Sequence, residues 1–418
     1  VTHTYSSPGN YVIEIDGTTT GWSFTTQTAQ RNKIKQIADW GKLTLTSNSC
    51  FESCEQLEIT ANNAPLLSGS PPTMARMFYS CLKIVNIGTG WDVSSVQDFQ
   101  YALSGCTLAN PTDTVNWDMS SATNFNNMFY YSPAFNQNIS GWNTSNVTTM
   151  AGMFRFNTSF NQNIGAWDTS SVASFSYMFA ENNNPFNNGG SSDINNWDVS
   201  SCTDFSYMFR NSAFNQPINN WTFKSSGTIT MKAMFIGAAD FNSSLAWCDG
   251  DADNTARVTD MSYMFEIGAA GDAFTGIGLS SWDTSNVTDM TSMFGYTDAF
   301  NADISNWNTS SVTNMTGMFM NASAFNNGGQ AMTKDGDKWN TSGVGNMINM
   351  FRGSAFNQDI GNWDTSSLTN VTSMFQTNDV FNQDISGSDL FGPGLRKFTL
   401  GDVSGTDIPL KYASEGEY

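Results

Sequence analysis

The chain repeats one pattern along most of its length, and no other feature restricts its fold so strongly. Aligned on a Met-Phe doublet, the pattern returns at Met77-Phe78, Met128-Phe129, Met153-Phe154, Met178-Phe179, Met208-Phe209, Met234-Phe235, Met264-Phe265, Met293-Phe294, Met318-Phe319, Met350-Phe351 and Met374-Phe375. Leu103 fills one gap and Phe51 extends the series backward. The result is about 13 units spaced roughly 24 to 32 residues apart, a period that reads as a solenoid in which each unit stacks only on its neighbours. A unit this short cannot bury its own apolar face, so the repeat is expected to form one continuous stack.

Within a unit, Val147, Met150, Met153 and Phe154 fall at i, i+3, i+6 and i+7, which predicts one buried face of a short helix or of 3-10 turns. The preceding Asp/Asn-Thr-Ser offers side-chain oxygens to the first N–H groups of such a helix. The other half, FNQNIS at 135–140, is too short for a helix and predicts a short strand pairing in parallel with its copy in the next unit. Asn136, Asn161, Asn187, Asn215, Asn242, Asn301, Asn326, Asn357 and Asn382 recur at one position, as expected of a buried amide ladder that satisfies loop carbonyls. Trp91, Trp117, Trp142, Trp167, Trp197, Trp282, Trp307, Trp339 and Trp363 share another, where a packing role is expected.

Composition narrows the function classes. Of 418 residues only 13% are charged, and the formal net charge is −20. Such a charge repels phosphate backbones, and no Lys/Arg cluster offers an exception, so nucleic acid is not expected as a partner. A hydrophobic fraction of 39%, with 31 Phe, 21 Met and 13 Trp, supplies a core and argues against disorder. No apolar run is long enough to span a membrane as a helix, so membrane insertion is not expected. The opening VTHTYSSPGNYVIEI lacks an initiator Met and a signal peptide and reads as a strand entered midway, as in a processed or trimmed chain.

The segments Met77 to Ile87 (MFxxCxxIxxI) and Phe51 to Ile59 (FxxCxxLxI) resemble the leucine-rich repeats of BspA-like surface proteins. The later FNQxIxxWxTSxVTxMxxMF units are similar to the 26-residue repeat of bacterial surface proteins and lipoproteins, and the opening resembles the end of a PKD-like strand pair. The resemblance implies an extracellular repetitive scaffold, of a kind found on bacterial surfaces and among structural proteins of phages. It covers residues 50–385. On it rests the expected architecture: an α/β solenoid, right-handed and of leucine-rich-repeat type, with about 13 coils of short parallel strands and short helices. Residues 1–49 form a β segment and N-terminal cap, and residues 386–418 a C-terminal cap.

Irregular units should carry their extra residues outward as loops: NNGGSSD at 187–193, CDGDADNTAR at 248–257 and NNGGQAMTKDGDK at 326–338. The unit around Trp221 lacks the Asp/Asn-Thr-Ser entry, a departure with no explanation at the level of sequence.

Chemistry is hard to assemble. His3 is the single histidine, so a Ser-His-Asp site has no ordinary imidazole base to build on. Asp168, Asp198, Asp283 and Asp364 alternate with Asn143, Asn308 and Asn340 in one column, which fits capping by either side chain and not general acid/base work. No catalytic residue and no cofactor is expected, apart from calcium. Asp249, Asp251 and Asp253 with Asp260 space carboxylates like a calcium loop but lack its turn glycine and terminal glutamate, so the segment reads either as a calcium site or as a solvated acidic loop. Cys54, Cys81 and Cys106 occupy one column, where buried thiols are expected and one bridge in the first coils is the alternative. The Asn-x-Ser/Thr sites at Asn143, Asn286, Asn314 and Asn370 follow from the repeat itself. Tyr130, Tyr131, Tyr177, Tyr207 and Tyr263 lie beside the Met-Phe doublet and are the candidates for an exposed binding face. The functional expectation is a non-enzymatic extracellular scaffold on a cell surface, mediating adhesion to a protein or glycan. The alternative is a structural subunit of a phage fibre or surface filament that self-associates.

Overall fold

The structure is a computed structural model that describes residues 6–14, 28–46, 48–181, 185–223, 226–248, 254–268 and 271–385. The expected C-terminal cap, His3, Asp249, Asp251 and Asp253 lie outside these residues. Successive units lie against one another in parallel. A line of parallel bridges runs from Thr73 through Asp98, Asn124, Thr149, Ser174 and Asp204 to Thr230, and from Asp260 through Asp289, Asn314 and Asn346 to Asn370. The two halves are joined where β5 (Ile229–Thr230) pairs in parallel with β6 (Val258–Asp260). At the N-terminal end β1 (Gln36–Ile37) pairs with β3 (Glu58–Ile59), and β2 (Thr44–Leu45) with β4 (Leu66–Leu67), so residues 36–45 already follow the parallel pairing of the array.

The expected short helices are absent. The helical elements among the described residues are short 3-10 segments, at Thr28–Lys33, Thr112–Asn116, Asn188–Gly190, Ser192–Asn196, Leu279–Ser281 and Asn327–Gly329, and none falls on a Met-Phe doublet. Val147, Met150, Met153 and Phe154 do all point inward, but of the two elements expected it is the turns, closed between residues three apart, and not a helix, that carry them. The N–H groups of Met150, Gly152, Phe154 and Phe156 donate to Ser174, Ser176, Met178 and Ala180 of the next unit at 2.8–3.1 Å. The intervening Met153, Arg155 and Asn157 donate three residues back, to Met150, Gly152 and Phe154. The segment is therefore a run of tight turns laced to its neighbour, and every second amide is unavailable for a helix.

These turns need a left-handed residue at their third position. The residue before each doublet supplies one, with φ of 54° at Arg76, 55° at Tyr101, 64° at Gly152, 57° at Tyr177 and 52° at Ala233. A second lies four residues on, at Phe156 (59°), Glu181 (78°) and Asn211 (50°). Each such residue with a Cβ costs about 1–2 kcal/mol, and the inter-unit hydrogen bonds offset it.

The strand expected at FNQNIS is also absent. Phe135 and Ile139 are buried, but the units are joined there by side chains. Asn136 Oδ1 accepts the backbone N–H of Asn161 (3.2 Å), Asn161 that of Asn187 (2.7 Å), and Asn187 that of Asn215 (2.9 Å). The amide ladder thus exists, but it lies at the surface, with Asn136 exposed, and it accepts N–H groups in place of donating to carbonyls.

The core is built from columns. Trp142 and Trp167 stack with centroids 6.2 Å apart and planes 1° apart. From Trp142 onward the column indoles also donate to a carbonyl of an earlier unit, as Trp167 Nε1 does to Ile139 (3.0 Å) and Trp197 Nε1 to Ile164 (3.1 Å). Phe154 lies 3.9 Å from Phe160 and 5.8 Å from Phe179, centroid to centroid. In the Asp/Asn-Thr-Ser entry the acidic or amide oxygen closes a turn onto the Ser, as Asp168 does onto the N–H (3.0 Å) and hydroxyl (2.6 Å) of Ser170. The Thr is buried and donates forward, Thr169 to the carbonyl of Asp198 at 2.8 Å.

Two departures from the repeat now have physical reasons. In the Trp221 unit Phe223 occupies the buried Thr position and packs edge-on against Trp247 at 4.8 Å. Its N–H is taken by Asn254 Oδ1 (2.7 Å), whose Nδ2 donates to the carbonyls of Trp221 and Trp247. The insertions do not simply protrude. Asn188 and Asn327 are fully buried, and their Oδ1 atoms accept the N–H groups of Ile164 (2.8 Å) and Ile304 (2.9 Å). Met332, inside the longest insertion, fills the core and accepts the Trp363 indole N–H.

Candidate binding face

The turn run around each doublet turns alternate residues outward, so the positions on either side of Met-Phe make up one face crossing all units. Most side chains there are small or neutral. Between the units at Met77 and Met208 they are aromatic and cationic. Arg76 sits over the ring of Tyr79 at 4.3 Å and is 5.5 Å from that of Tyr101. Arg155 sits 4.2 Å over Tyr177 and 5.1 Å from Phe156, with Tyr130 at 6.0 Å. Tyr177 and Tyr207 stack at 4.5 Å, 10° from parallel, and Arg210 lies 5.6 Å from Tyr207. Burial, with a further push from Tyr207, raises the Tyr177 phenol above its ordinary range, so it is neutral at physiological pH.

The cations are matched locally. Arg76 makes a two-point pair with Glu52 (2.8 and 3.2 Å), which holds the Glu52 carboxyl below its ordinary range. Glu181, itself buried, lies 3.2 Å from Arg155 and 3.4 Å from Arg210. The guanidinium planes then serve as flat spacers between tyrosine rings. A groove of about 430 Å³ opens between Tyr79, Tyr101 and Tyr130 on one side and Tyr177 on the other, over Ala151 and Gly152.

Of the tyrosines singled out from sequence, the structure brings Tyr130, Tyr131, Tyr177 and Tyr207 onto this face, Tyr131 being 50% exposed. Tyr263 stands apart, with Lys232 Nζ 5.8 Å from its ring. Sequence reasoning missed Tyr79, Tyr101, the three arginines and their glutamates. The signal was there to be read: Arg76, Arg155 and Arg210 all lie next to a doublet residue, on the same outward side as the tyrosines.

The other candidates resolve differently. Of the expected calcium ligands only Asp260 is described, and its Oδ1 is committed to the N–H and hydroxyl of Ser262 at 2.9 and 2.6 Å. Among the described residues no group of three or more His, Cys, Asp or Glu side chains is placed to hold a metal. Cys54, Cys81 and Cys106 do share a column, but as buried thiols and not as a bridge. Cys81 Sγ donates to the Phe51 carbonyl and Cys106 Sγ to that of Phe78, each at 2.9 Å. Ser132 Oγ and Thr297 Oγ1 repeat this contact in later units, which is why the column accepts Cys, Ser or Thr. Among the described residues no helix is long and apolar enough to cross a membrane.

Short parallel pairings recurring at every doublet, with side-chain ladders in register, define a repeat protein. The chain belongs to the family described as Mycoplasma protein of unknown function, DUF285, which matches residues 35–114, 100–192, 131–248, 181–274, 248–335 and 328–390. These six overlapping matches tile the array without a gap, as expected when one family unit spans several repeats. No curated protein and no solved structure matches the chain.

Proposed function

We propose that the chain is a non-enzymatic extracellular scaffold, a right-handed solenoid akin to BspA-like leucine-rich-repeat surface proteins, that mediates adhesion to a cell surface through one extended face. The observation that carries this reading is the continuous line of parallel pairings between residues 73 and 370. Such a line gives a stiff support on which weak contacts, one or two per unit, add up because they are held at fixed spacing. The outward positions beside the doublets vary from unit to unit while the inward ones do not, as suits a scaffold whose face is specialised separately from its core. Surface labelling of producing cells with antibody to the folded chain, together with adhesion of chain-coated beads to cells, tests the reading. Exclusive intracellular labelling together with no bead adhesion would remove it.

A second reading is a structural subunit of a fibre or virion, in which copies of the same stack of parallel pairings would pack end to end or side by side. Concentration-dependent fibres in electron micrographs would support this reading, and a strictly monomeric chain at high concentration would exclude it.

A further inference from the structure

Tyr177 and Tyr207 are held in a geometry that the other tyrosine pairs of this face lack. Both stand at the left-handed position before a doublet, with φ of 57° and 60°. Two adjacent units therefore send the same side chain out in the same direction, and the rings meet in register, centroids 4.5 Å apart and planes 10° from parallel. The same position holds Gly152 in the preceding unit and Ala233 in the following one, so these two phenols face each other and no further member of their column. Arg155 lies 4.2 Å from the Tyr177 ring and covers the face turned away from Tyr207. The other pairs are oriented differently: Tyr79 and Tyr101 meet edge to face at 5.8 Å and 88°, and Tyr130 and Tyr131 are 6.5 Å apart and tilted by 39°.

We propose that Tyr177 and Tyr207 are a site of oxidative coupling, joined into an intrachain dityrosine by hydrogen peroxide and a haem peroxidase, which staples the Met178 unit to the Met208 unit. Each phenol gives up one electron and its hydroxyl proton. The two radicals bond through ring carbons ortho to the oxygens, and the hydrogens on those carbons pass to the oxygens and restore both phenols. One peroxide takes up the two electrons and two protons and becomes two waters, so the chain loses two hydrogens and nothing else. The geometry selects this pair because the unpaired electron of a tyrosyl radical occupies π orbitals that project from the ring face. A new bond forms between rings lying face to face, whereas edge-to-face rings offer no such overlap. Fixed proximity adds to the rate, since coupling needs no encounter between separate molecules. The groove bordered by Tyr177 gives the departing proton a path to water, and the Arg155 guanidinium keeps the far ring face from other radicals. The staple joins residues thirty apart in sequence, across the unit that carries the 187–193 insertion, and adds a covalent tie between units otherwise joined by hydrogen bonds and packing.

The test is treatment of the full chain with a haem peroxidase and limiting hydrogen peroxide, followed by isolation of the monomer, digestion before aspartates and mass spectrometry. Asp193, Asp198 and Asp204 lie between the two tyrosines, so the digest separates them unless they are coupled. The main product should be a fluorescent monomer in which the Tyr177 and Tyr207 peptides are joined at two hydrogens below their summed mass. It should exceed any Tyr79–Tyr101 product about tenfold or more, from the difference in ring orientation. Tyr207→Phe keeps the ring, and Phe156 shows that Phe takes the same φ, at 59°. This variant should melt as the parent does yet lose the product and most of the dityrosine fluorescence. Hydrogen exchange in the coupled monomer should slow in the Met178 and Met208 units. Absence of dityrosine from the native monomer would overturn the proposal, as would a Tyr79–Tyr101 product of equal or greater yield, or undiminished fluorescence from Tyr207→Phe. Coupling confined to bonds between chains, through Tyr131 at 50% exposure, would overturn it too, and unchanged exchange in the coupled monomer would refute the staple.

Discussion

The indole ladder can be tested by a pair of substitutions that remove the same atoms in different hydrogen-bonding states. Trp307 is fully buried, stacks on Trp282 at 6.2 Å and donates Nε1–H to the Leu279 carbonyl at 2.9 Å. That carbonyl also accepts the Trp282 backbone N–H at 3.2 Å, so Trp307→Phe leaves no orphaned acceptor and forfeits about 1 kcal/mol of hydrogen bond. The smaller ring leaves a void costing about 1–2 kcal/mol more, for a total of about 2–3 kcal/mol. Trp117 is 4% exposed and stacks on Trp142 at 6.5 Å, but its Nε1 has no hydrogen-bond partner among the described residues. The carbonyl of Ile87 in the preceding unit is already taken by the indoles of Trp40 and Trp91. Trp117→Phe therefore incurs a similar void but deletes a buried, unbonded donor, which returns about 1–3 kcal/mol. The net change should be near zero. Because units contact only their neighbours, hydrogen exchange followed by mass spectrometry is the right assay, since it reads the opening free energy unit by unit. Trp307→Phe should lower protection in its own and adjacent units, and Trp117→Phe should not. Equal losses in the two variants, or a loss spread evenly over the chain, would refute the ladder argument.

Three further outcomes are expected. Burial pushes the Cys54 and Cys106 thiols up to about 12 and the Cys81 thiol upward as well, so peptides carrying them should resist iodoacetamide in the native chain and be labelled only after denaturation. The Ser120, Ser170 and Ser366 hydroxyls and amides hold the Asp118, Asp168 and Asp364 carboxyls below their ordinary range. Their contribution is present above the ordinary carboxylate pKa and is lost as pH falls through the lowered one, so replacing all three with Asn should move the acid unfolding midpoint, followed by circular dichroism, to lower pH. Gly278 has φ of 90°, and a Cβ there would lie 2.4 Å from the Ala246 backbone nitrogen, while one on Gly329, at 81°, would meet nothing within 4 Å. Gly329→Ala should cost about 1–2 kcal/mol from backbone strain alone, and Gly278→Ala measurably more in urea unfolding, because a backbone atom cannot move aside as a side chain would.

Legibility differed between core and connections. The inward positions of each unit were readable because only a regular apolar spacing survives insertions of different length, and every Trp, Met and Phe assigned to the core from spacing lies in it up to the Met374 unit. The conformation carrying those positions was not readable. A three-residue period in burial is produced equally by a 3-10 helix and by consecutive turns bonded to a neighbour. Tyr177 or Ala233 gives no sign in sequence of the left-handed φ it adopts. The candidate face was half legible for a related reason. Tyrosines beside the doublet could be named, but the pairing of Arg155 with Glu181, 26 residues apart, depends on which units touch.

The sequence alone determined that units must stack and that Trp, Phe and Met supply each layer, because both follow from apolar residues recurring at a fixed period. Tertiary structure alone decided where the backbone amides go. An N–H group such as that of Gly152 can bond within its own turn or across to Ser176, and only the neighbouring unit, presenting a carbonyl at 2.8 Å, selects the second. That choice excludes helices, forces left-handed residues beside every doublet, and brings tyrosines and arginines from separate units onto one face.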